Sequence, residues 1–461
     1  MISPDELTTT ALDASKADGC TVVLTDTSEV NLRWANSTMT TNGHSTTRSF
    51  SVISVVGDSV GVVSGNGAEL DEVRAVVAAS EQAARESGPA QDVAPLVEGE
   101  ADGDFGEPGA ATEIGVFARL TGELAATFDG AGESGRGELL YGFADHRVET
   151  TWLASSTGLR RRWVQPTGTI EINAKIADNL GRSAWVGAYT ADFTDLDFPA
   201  LVAELRRRLC WSKRQVQLPA GRYETILPPS AVADLMLYMV WSMDGRPAHE
   251  GRSAFAVPGK GPGATRLGEQ LTGLPLTLSS DPSVPGLQTA PFLVTTASSD
   301  SASVFDNGAP VHRVDWLRNG TINALAYPRA AAQEFGAQFT SPAENLILTG
   351  GSTARTDELV ARTDRGLLLT CLWYIREVDP VSLLLTGLTR DGVYLVESGE
   401  VVGQVNNFRF NESPIDLIRR VSEVGATEST LCREWKDWFS RTAMAPLRIP
   451  DFNMSSVSQA S

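Results

Sequence analysis

The segment from Tyr223 to Phe255 constrains the fold more than any other, because it contains a helix that is apolar on every side. After a strand that ends at Pro228 and Pro229, Ser230 is predicted to cap a helix over Ala231–Met243. The apolar residues of this helix do not keep to one face: Val232, Leu235, Met236, Leu237, Met239, Val240 and Trp241. Such a helix is typical of a large core rather than of a surface.

A polar cluster follows the helix within a few residues. It comes after Asp244 and consists of His249, Glu250, Arg252 and Ser253. A buried helix that ends beside polar side chains is a place where an enzyme can keep its chemistry, so these four residues are candidates for a functional site.

The composition limits the classes of partner. The chain has 461 residues, 42% of them hydrophobic and 21% charged, and a formal net charge of −19 at pH 7. This length is enough for two or three domains. The negative charge argues against binding to nucleic acid or to an anionic membrane through bulk electrostatics.

The cysteines and the chain start predict a cytoplasmic protein. The four cysteines are scattered, with no CxxC spacing: Cys20, Cys210, Cys371 and Cys432. A disulfide framework is not expected in so long a chain, and a reducing compartment fits best. The polar, acidic start MISPDELTTT predicts no signal peptide. The longest apolar runs are too short to span a membrane.

The order of predicted elements gives an α+β fold. We expect an N-terminal α+β domain over residues 1–88, an acidic linker or loop over 89–114, a middle α+β domain over 115–218 and a β-rich domain over 219–461. The two N-terminal domains combine helices with strand meanders. The last domain is predicted to be a large, twisted, mainly antiparallel sheet.

Turn residues and periodicity place the first elements. We predict helices over Pro4–Lys16 and Leu70–Glu86, with strands between them that are broken at Asn42-Gly43 and Gly57-Asp58. A single continuous strand is expected over the apolar run Gly366–Arg376.

The acidic segment has no Lys or Arg between Glu86 and Ala118. We interpret it as a solvated loop or linker, with an acidic interaction arm as the alternative. The run Arg160–Arg162 is interpreted as an exposed edge strand rather than as a phosphate site.

No self-sufficient active site is visible in the sequence. The four histidines are not paired at metal-ligand spacing, and no HExxH or HExxxH motif is present. Arg433 follows Cys432 directly, and a nearby cation can lower the pKa of a thiol. A cysteine nucleophile also needs a histidine base, however, and the sequence places none next to Cys432.

Four segments resemble the TldD/PmbA family of peptidases in their order and spacing. They are WANSTMTTNG at residues 34–43, NLILTGGSTARTDELVARTDRGLLL at 345–369, TGLTRDGVYLVESGEVVGQVNNFRF at 386–410 and APLRIPDFNMSSVS at 445–458. The resemblance implies one of two types of subunit. A TldD type binds zinc through HExxxH on a buried helix and a C-terminal cysteine, and a PmbA or TldE type lacks the histidines.

This chain resembles the TldE type, because Leu237–Ser242 stand where the motif would be and include no histidine. Cys432 lies near the position of the family's cysteine ligand. The resemblance therefore implies no metal or catalytic residue in this chain, and zinc in a TldD-type partner. The expected role is a non-catalytic subunit of a heteromeric peptidase acting on unstructured peptides.

In such an assembly the polar cluster would line the shared cavity or the subunit contact, with Cys432 as a further candidate. Two alternatives stay open. One is an enzyme in its own right, using Cys432 or a metal held by His249, His312 and a carboxylate. The other is a stand-alone peptide-binding or scaffold protein.

Overall fold

The computed structural model describes residues 2–67, 69–133 and 137–459. Helices and strands are mixed, and the strands form three sheets. All strand pairings in the described residues are antiparallel except three. The predicted α+β class with large, mainly antiparallel sheets is confirmed. In the described residues, none of the helices is long and apolar enough to cross a membrane.

The first sheet has six strands, in the order β3-β2-β1-β4-β5-β6. They are β1 (Gly19–Ala35), β2 (Thr38–Val56), β3 (Ser59–Gly65), β4 (Glu138–Ser155), β5 (Arg160–Ile176) and β6 (Asn179–Thr190). Because β1 pairs with β4 along its length, this sheet is shared by the two predicted N-terminal domains. The domain boundaries themselves stay a prediction.

Four helices cover this sheet: α1 (Pro4–Ala14), α2 (Leu70–Glu86), α3 (Ala118–Glu133) and α4 (Phe198–Trp211). The first two pack through Leu7, Val73 and Val77 against one part of the sheet. The other two pack through residues such as Leu124 and Leu205 against another part. The predicted bounds of α2 are confirmed, because a long amphipathic stripe fixes a helix locally.

The predicted break at Asn42-Gly43 is wrong. The turn between β1 and β2 lies at Asn36 and Ser37, which have positive φ angles of 51° and 56°. Two left-handed residues are what a tight hairpin with the twist of its strands requires. Gly43 lies inside β2 opposite Asn31, where the packing of β1 decides the strand register and local turn propensity does not.

The acidic segment has no helix or strand between α2 and the 3-10 turn at Ile114–Phe117. Most of its residues are exposed, as expected for a loop, but it is anchored to the first sheet at a few points. Phe105 is buried, and Asp102 accepts hydrogen bonds from Arg161 Nη1 at 3.0 Å and Arg162 N at 3.1 Å. The segment thus covers the part of β5 that carries the basic run, and its charge pairs with that run.

The remaining strands form the other two sheets. They are β7 (Gln215–Val216), β8 (Gly221–Leu227), β9 (Thr277–Ser280), β10 (Val314–Arg318), β11 (Thr321–Ile322), β12 (Leu346–Thr349), β13 (Arg365–Leu369), β14 (Leu372–Asp379), β15 (Leu384–Thr389), β16 (Val393–Glu397), β17 (Glu400–Val405), β18 (Phe408–Glu412), β19 (Glu423–Val424), β20 (Glu428–Thr430), β21 (Thr442–Met444) and β22 (Leu447–Val457). A six-stranded sheet has the order β11-β10-β9-β12-β21-β20. A ten-stranded sheet has the order β14-β15-β18-β22-β8-β13-β16-β17-β7, with β19 beside β22.

Five helices accompany these sheets: α5 (Pro229–Trp241), α6 (Gly245–His249), α7 (Arg329–Phe335), α8 (Thr356–Ala361) and α9 (Pro414–Arg420). A second 3-10 turn spans Val304–Asp306. The predicted single strand over Gly366–Arg376 is wrong, because β13 is an interior strand and β14 is an edge strand of the same sheet. A continuous apolar run does not show where a chain leaves one position in a sheet for another.

Candidate functional site

Helix α5 lies in the core of the C-terminal domain, as its composition predicts. Leu235 and Leu237 are fully buried, whereas Trp241 in the last turn is 39% exposed. The predicted cap at Ser230 is wrong. Pro228 is the N-cap and Pro229 is the first helical residue, a position where proline costs no hydrogen bond because the N–H would be unpaired anyway.

The positions Leu237–Ser242 provide packing and no metal ligands. Leu237 and Met239 are fully buried among apolar residues. The hydroxyl of Ser242 donates to the carbonyl oxygen of Tyr238 at 2.9 Å, so the polar group at the end of this stretch bonds within the chain's own last helical turn.

Asp234 is a buried polar residue that the sequence pattern did not single out. Its Oδ1 accepts a hydrogen bond from Glu434 N at 2.9 Å, and its carbonyl oxygen accepts one from Trp435 Nε1 at 2.9 Å. Burial raises the pKa of Asp234 well above its usual value. The signal was present, because Asp234 is the one ionisable carboxyl within the apolar stretch of α5.

Cys432 lies close to Asp234, but its environment does not activate the thiol. The side chain is fully buried, and its Sγ donates to the carbonyl oxygen of Phe439 at 2.6 Å. Burial, and secondarily the charge of Asp234, raise the pKa of the thiol well above its usual value. Because the thiolate is the form that attacks substrates and binds metals, this environment disfavours both roles.

The groups near α5 do not fit a catalytic zinc. Such a site takes three protein ligands, commonly histidines with a carboxylate or cysteine. Here Asp234 and Cys432 are joined by no histidine, and no group of three His, Cys, Asp or Glu side chains in the described residues is placed to hold a metal. His312 is exposed, whereas His249 packs on Phe335.

The structure splits the predicted polar cluster. His249 stacks on Phe335 at 4.2 Å between ring centres, and its Nε2 lies 3.1 Å from the hydroxyl of Tyr327. Partial burial lowers the pKa of His249, so the neutral ring is favoured. This geometry is that of a packed histidine.

The other members of the cluster differ in exposure. Glu250 and Arg252 form an exposed ion pair of 2.5 Å, and Arg252 lies 4.0 Å from Asp300. Ser253 is buried and accepts a hydrogen bond from Phe255 N at 3.3 Å. A surface role is therefore open only to Glu250 and Arg252, and their place in a cavity or interface stays a prediction.

Asp244, just after α5, has a strongly perturbed carboxyl. Burial first, and the nearby Asp300 second, raise its pKa from 3.8 to about 7. Asp300 lines a cavity of about 450 Å³ with Asp92 and Arg246. The acidic segment and α6 thus meet at one polar cavity next to the predicted cluster.

A cavity of about 360 Å³ lies at the N-terminus of α5, between α4 and α8. Its three arginines each have a carboxylate partner. The ion pairs are Arg207–Asp357 at 2.7 Å, Arg208–Glu204 at 2.7 Å and Arg355–Glu428 at 3.1 Å. Because each of these arginines is paired with a carboxylate, the lining has no excess charge that would favour binding of a charged ligand.

Comparison with known proteins gives a family match along most of the chain. Models described as PmbA/TldA metallopeptidase domain 1, central domain and C-terminal domain match residues 20–84, 107–213 and 220–456, respectively. None of the curated proteins matches the chain.

Solved structures with the same fold include TldE from Thermococcus kodakarensis, with 15% identity and a TM-score of 0.76 over 97% of this chain and 99% of that one. A candidate modulator of a DNA gyrase from Thermotoga maritima has 17% identity and a TM-score of 0.77, over 97% and 99%. A second candidate modulator of DNA gyrase, from Bacteroides thetaiotaomicron, has 14% identity and a TM-score of 0.77, over 98% and 99%.

Proposed function

The chain belongs to the PmbA/TldD metallopeptidase family, and from that premise we propose that it is a TldE-type subunit, without a zinc centre of its own, in a two-component peptidase. The observation that carries the proposal is the stretch Leu237–Ser242 at the end of α5. At these positions, where the family resemblance places HExxxH, this chain has no histidine, and Leu237, Met239 and Val240 are buried packing residues.

The residues around α5 are also unsuited to holding zinc. A catalytic zinc lowers the pKa of a bound water to about 7, and it needs nitrogen or carboxylate ligands that are free to coordinate. Asp234 instead holds the backbone of Glu434, and the Cys432 thiol is held protonated against Phe439. The proposal therefore assigns the zinc to a TldD-type partner.

The contribution proposed for this subunit is to hold the peptide and to complete the cavity wall. Strands β7 and β14 are the two end strands of the ten-stranded sheet, and edge strands can pair with an extended peptide through main-chain hydrogen bonds, which give affinity with little sequence preference. An unstructured peptide is the substrate class that suits this mode of binding. The free cysteines support a reducing compartment such as the cytoplasm.

Co-expression with a TldD-type protein tests the proposal. We expect a stable complex that cleaves an unstructured peptide, with zinc in the complex and none retained by this chain when it is purified alone. The matched control is a partner whose motif histidines are changed to alanine, which should still form the complex but should not cleave.

Other outcomes would point to the alternatives. Zinc bound stoichiometrically to the isolated chain, together with cleavage, would favour an enzyme in its own right. Failure to form a complex, combined with peptide binding by the chain alone, would favour a stand-alone binding protein.

A further inference from the structure

A small cavity of about 230 Å³ lies where the first sheet meets the ten-stranded sheet, and we refer to it as the junction cavity. Strands β6 and β7, which contribute to its walls, are each the last strand of their own sheet. Its lining is polar and includes Lys175, Ser183, Gln215 and Gln404 from strands of the two sheets, and Arg390 and Asp391 from the loop between β15 and β16.

The charges that line the junction cavity are unbalanced toward positive. Among the described residues, Lys175 has no ion-pair partner, and the side chain of Arg390 is 39% exposed. Asp391 is the one carboxylate in the lining, and it is already engaged. It accepts a hydrogen bond from Ser183 and lies 3.6 Å from Arg390. An incoming carboxylate would therefore meet a cation without a partner.

Gln404 also lines the junction cavity, and its side-chain oxygen is a hydrogen-bond acceptor that is not satisfied. Its strand is paired on both sides, with Tyr394 of β16 and Gln215 of β7, so the backbone is fixed. The side-chain oxygen Oε1 is buried and has no hydrogen-bond partner among the described residues. A buried acceptor without a partner is energetically unfavourable, because it has lost its hydrogen bonds to water and gained none in return. A ligand that offers an N–H at this point would remove that cost.

The volume restricts what can enter. Sites for drug-sized molecules have about 300–1,000 Å³, so the junction cavity admits the end of a chain rather than a folded partner. A peptide's last residue carries a carboxylate and an amide N–H on adjacent groups, which is the pair of functions that the lining lacks.

We propose that the junction cavity binds the carboxyl terminus of an extended peptide, with its carboxylate against Lys175 and Arg390 and its last amide N–H donating to Gln404. This inference rests on the proposed function and names the part of the substrate that this subunit holds. Capture of a chain terminus is a recurrent way of recognising unstructured peptides without reading their sequence.

The test uses the purified full chain and a decapeptide of glycine and serine that carries fluorescein at its N-terminus. Binding is followed by fluorescence anisotropy. We expect the peptide with a free carboxyl terminus to bind about tenfold more tightly than the same peptide with a C-terminal amide. Changing Lys175→Gln and Arg390→Gln together should remove this difference by weakening only the free acid.

Two further variants sharpen the result. Gln404→Leu should weaken both peptides by a similar factor, because both keep the last N–H. Arg74→Gln removes an exposed arginine of α2 and should leave both affinities unchanged. An amidated peptide with one internal glutamate distinguishes a side-chain carboxylate from a terminal one, and it should bind like the plain amide.

Equal affinities for acid and amide, no binding of either, or tight binding of the internal-glutamate peptide would overturn the proposal. A loss of affinity for both peptides in the Lys175→Gln, Arg390→Gln variant would overturn it as well. Since no partner is present, these results are independent of complex formation. If the chain forms the active complex but binds the free-acid and the amidated peptide with equal affinity, this inference is wrong and the proposed function still stands.

Discussion

The carboxylate of Asp234 on α5 accepts a hydrogen bond of 2.9 Å from the backbone N–H of Glu434, in the segment between β20 and β21. The carbonyl oxygen of Asp234 also accepts one from the indole of Trp435. One residue of the helix thus holds the segment that carries Cys432.

We expect the stability of the fold to depend on the acceptor oxygen of Asp234 and not on its negative charge. Asp234→Ala leaves the Glu434 N–H without its partner, so we expect the free energy of unfolding to fall by about 2–3 kcal/mol. Asp234→Asn keeps an acceptor oxygen and should stay within about 1 kcal/mol of the wild type. Urea unfolding monitored by circular dichroism measures both, and an equal loss in the two variants would contradict this account.

Asp244 should make the protein less stable as the pH rises. Its pKa is about 7 in the folded state, against an ordinary value of 3.8 for an aspartate in the unfolded chain. The folded state therefore binds more protons between these values, and the free energy of unfolding falls as pH rises through that window. Asp244→Asn removes the effect, with a gain at pH 8 of at most about 4 kcal/mol and little gain at pH 4.

Thermal unfolding at pH 4, 6 and 8 measures this trend, with the exposed Asp71→Asn on α2 as the control. The side chain of Asp244 makes no capping hydrogen bond to α6, so the substitution removes no contact of that kind. A stability difference that does not change with pH would show that Asp244 is not the group responsible.

The thiols should differ sharply in reactivity. Cys210 is exposed, whereas burial raises the pKa of Cys20 to about 11 and that of Cys371 to about 12. Cys432 is buried too, with its pKa raised. Reaction with Ellman's reagent at pH 8 should label one thiol of the native chain and four after denaturation.

Cys210→Ser should abolish the native reaction, and Cys432→Ala should leave it unchanged. Rapid native labelling of Cys432 would revive the cysteine-dependent alternative.

The exposed pair of Glu250 and Arg252 tests the predicted contact role of the polar cluster. If these residues line the shared cavity or the subunit contact, Arg252→Glu should lower peptide cleavage by the reconstituted pair several-fold. It should change the stability of this chain by less than about 1 kcal/mol, because the ion pair is exposed.

Arg74→Glu is the matched control, since Arg74 forms a similar exposed pair with Asp71 on α2. Full activity in the variant that combines alanine at His249, Glu250, Arg252 and Ser253 would remove the cluster from the proposed interface.

The alternation and helical periodicity of the sequence determined the fold class, the burial of α5 and the bounds of α2. These features depend on residues near one another in the chain, so a local pattern is enough to predict them. The missing histidines in α5 are likewise a property of the sequence alone. Local turn propensity was insufficient at Asn42-Gly43, where the pairing with β1 overrides it.

The tertiary structure alone decided which distant residues meet. It joined residues 19–65 and 138–190 into one sheet, paired Asp234 with Glu434 and brought Lys175 and Gln404 to the lining of one cavity. It also split the polar cluster, packing His249 against Phe335 while Glu250 and Arg252 face solvent. Contacts across hundreds of residues depend on sheet register and packing of the whole chain, and no local pattern contains them.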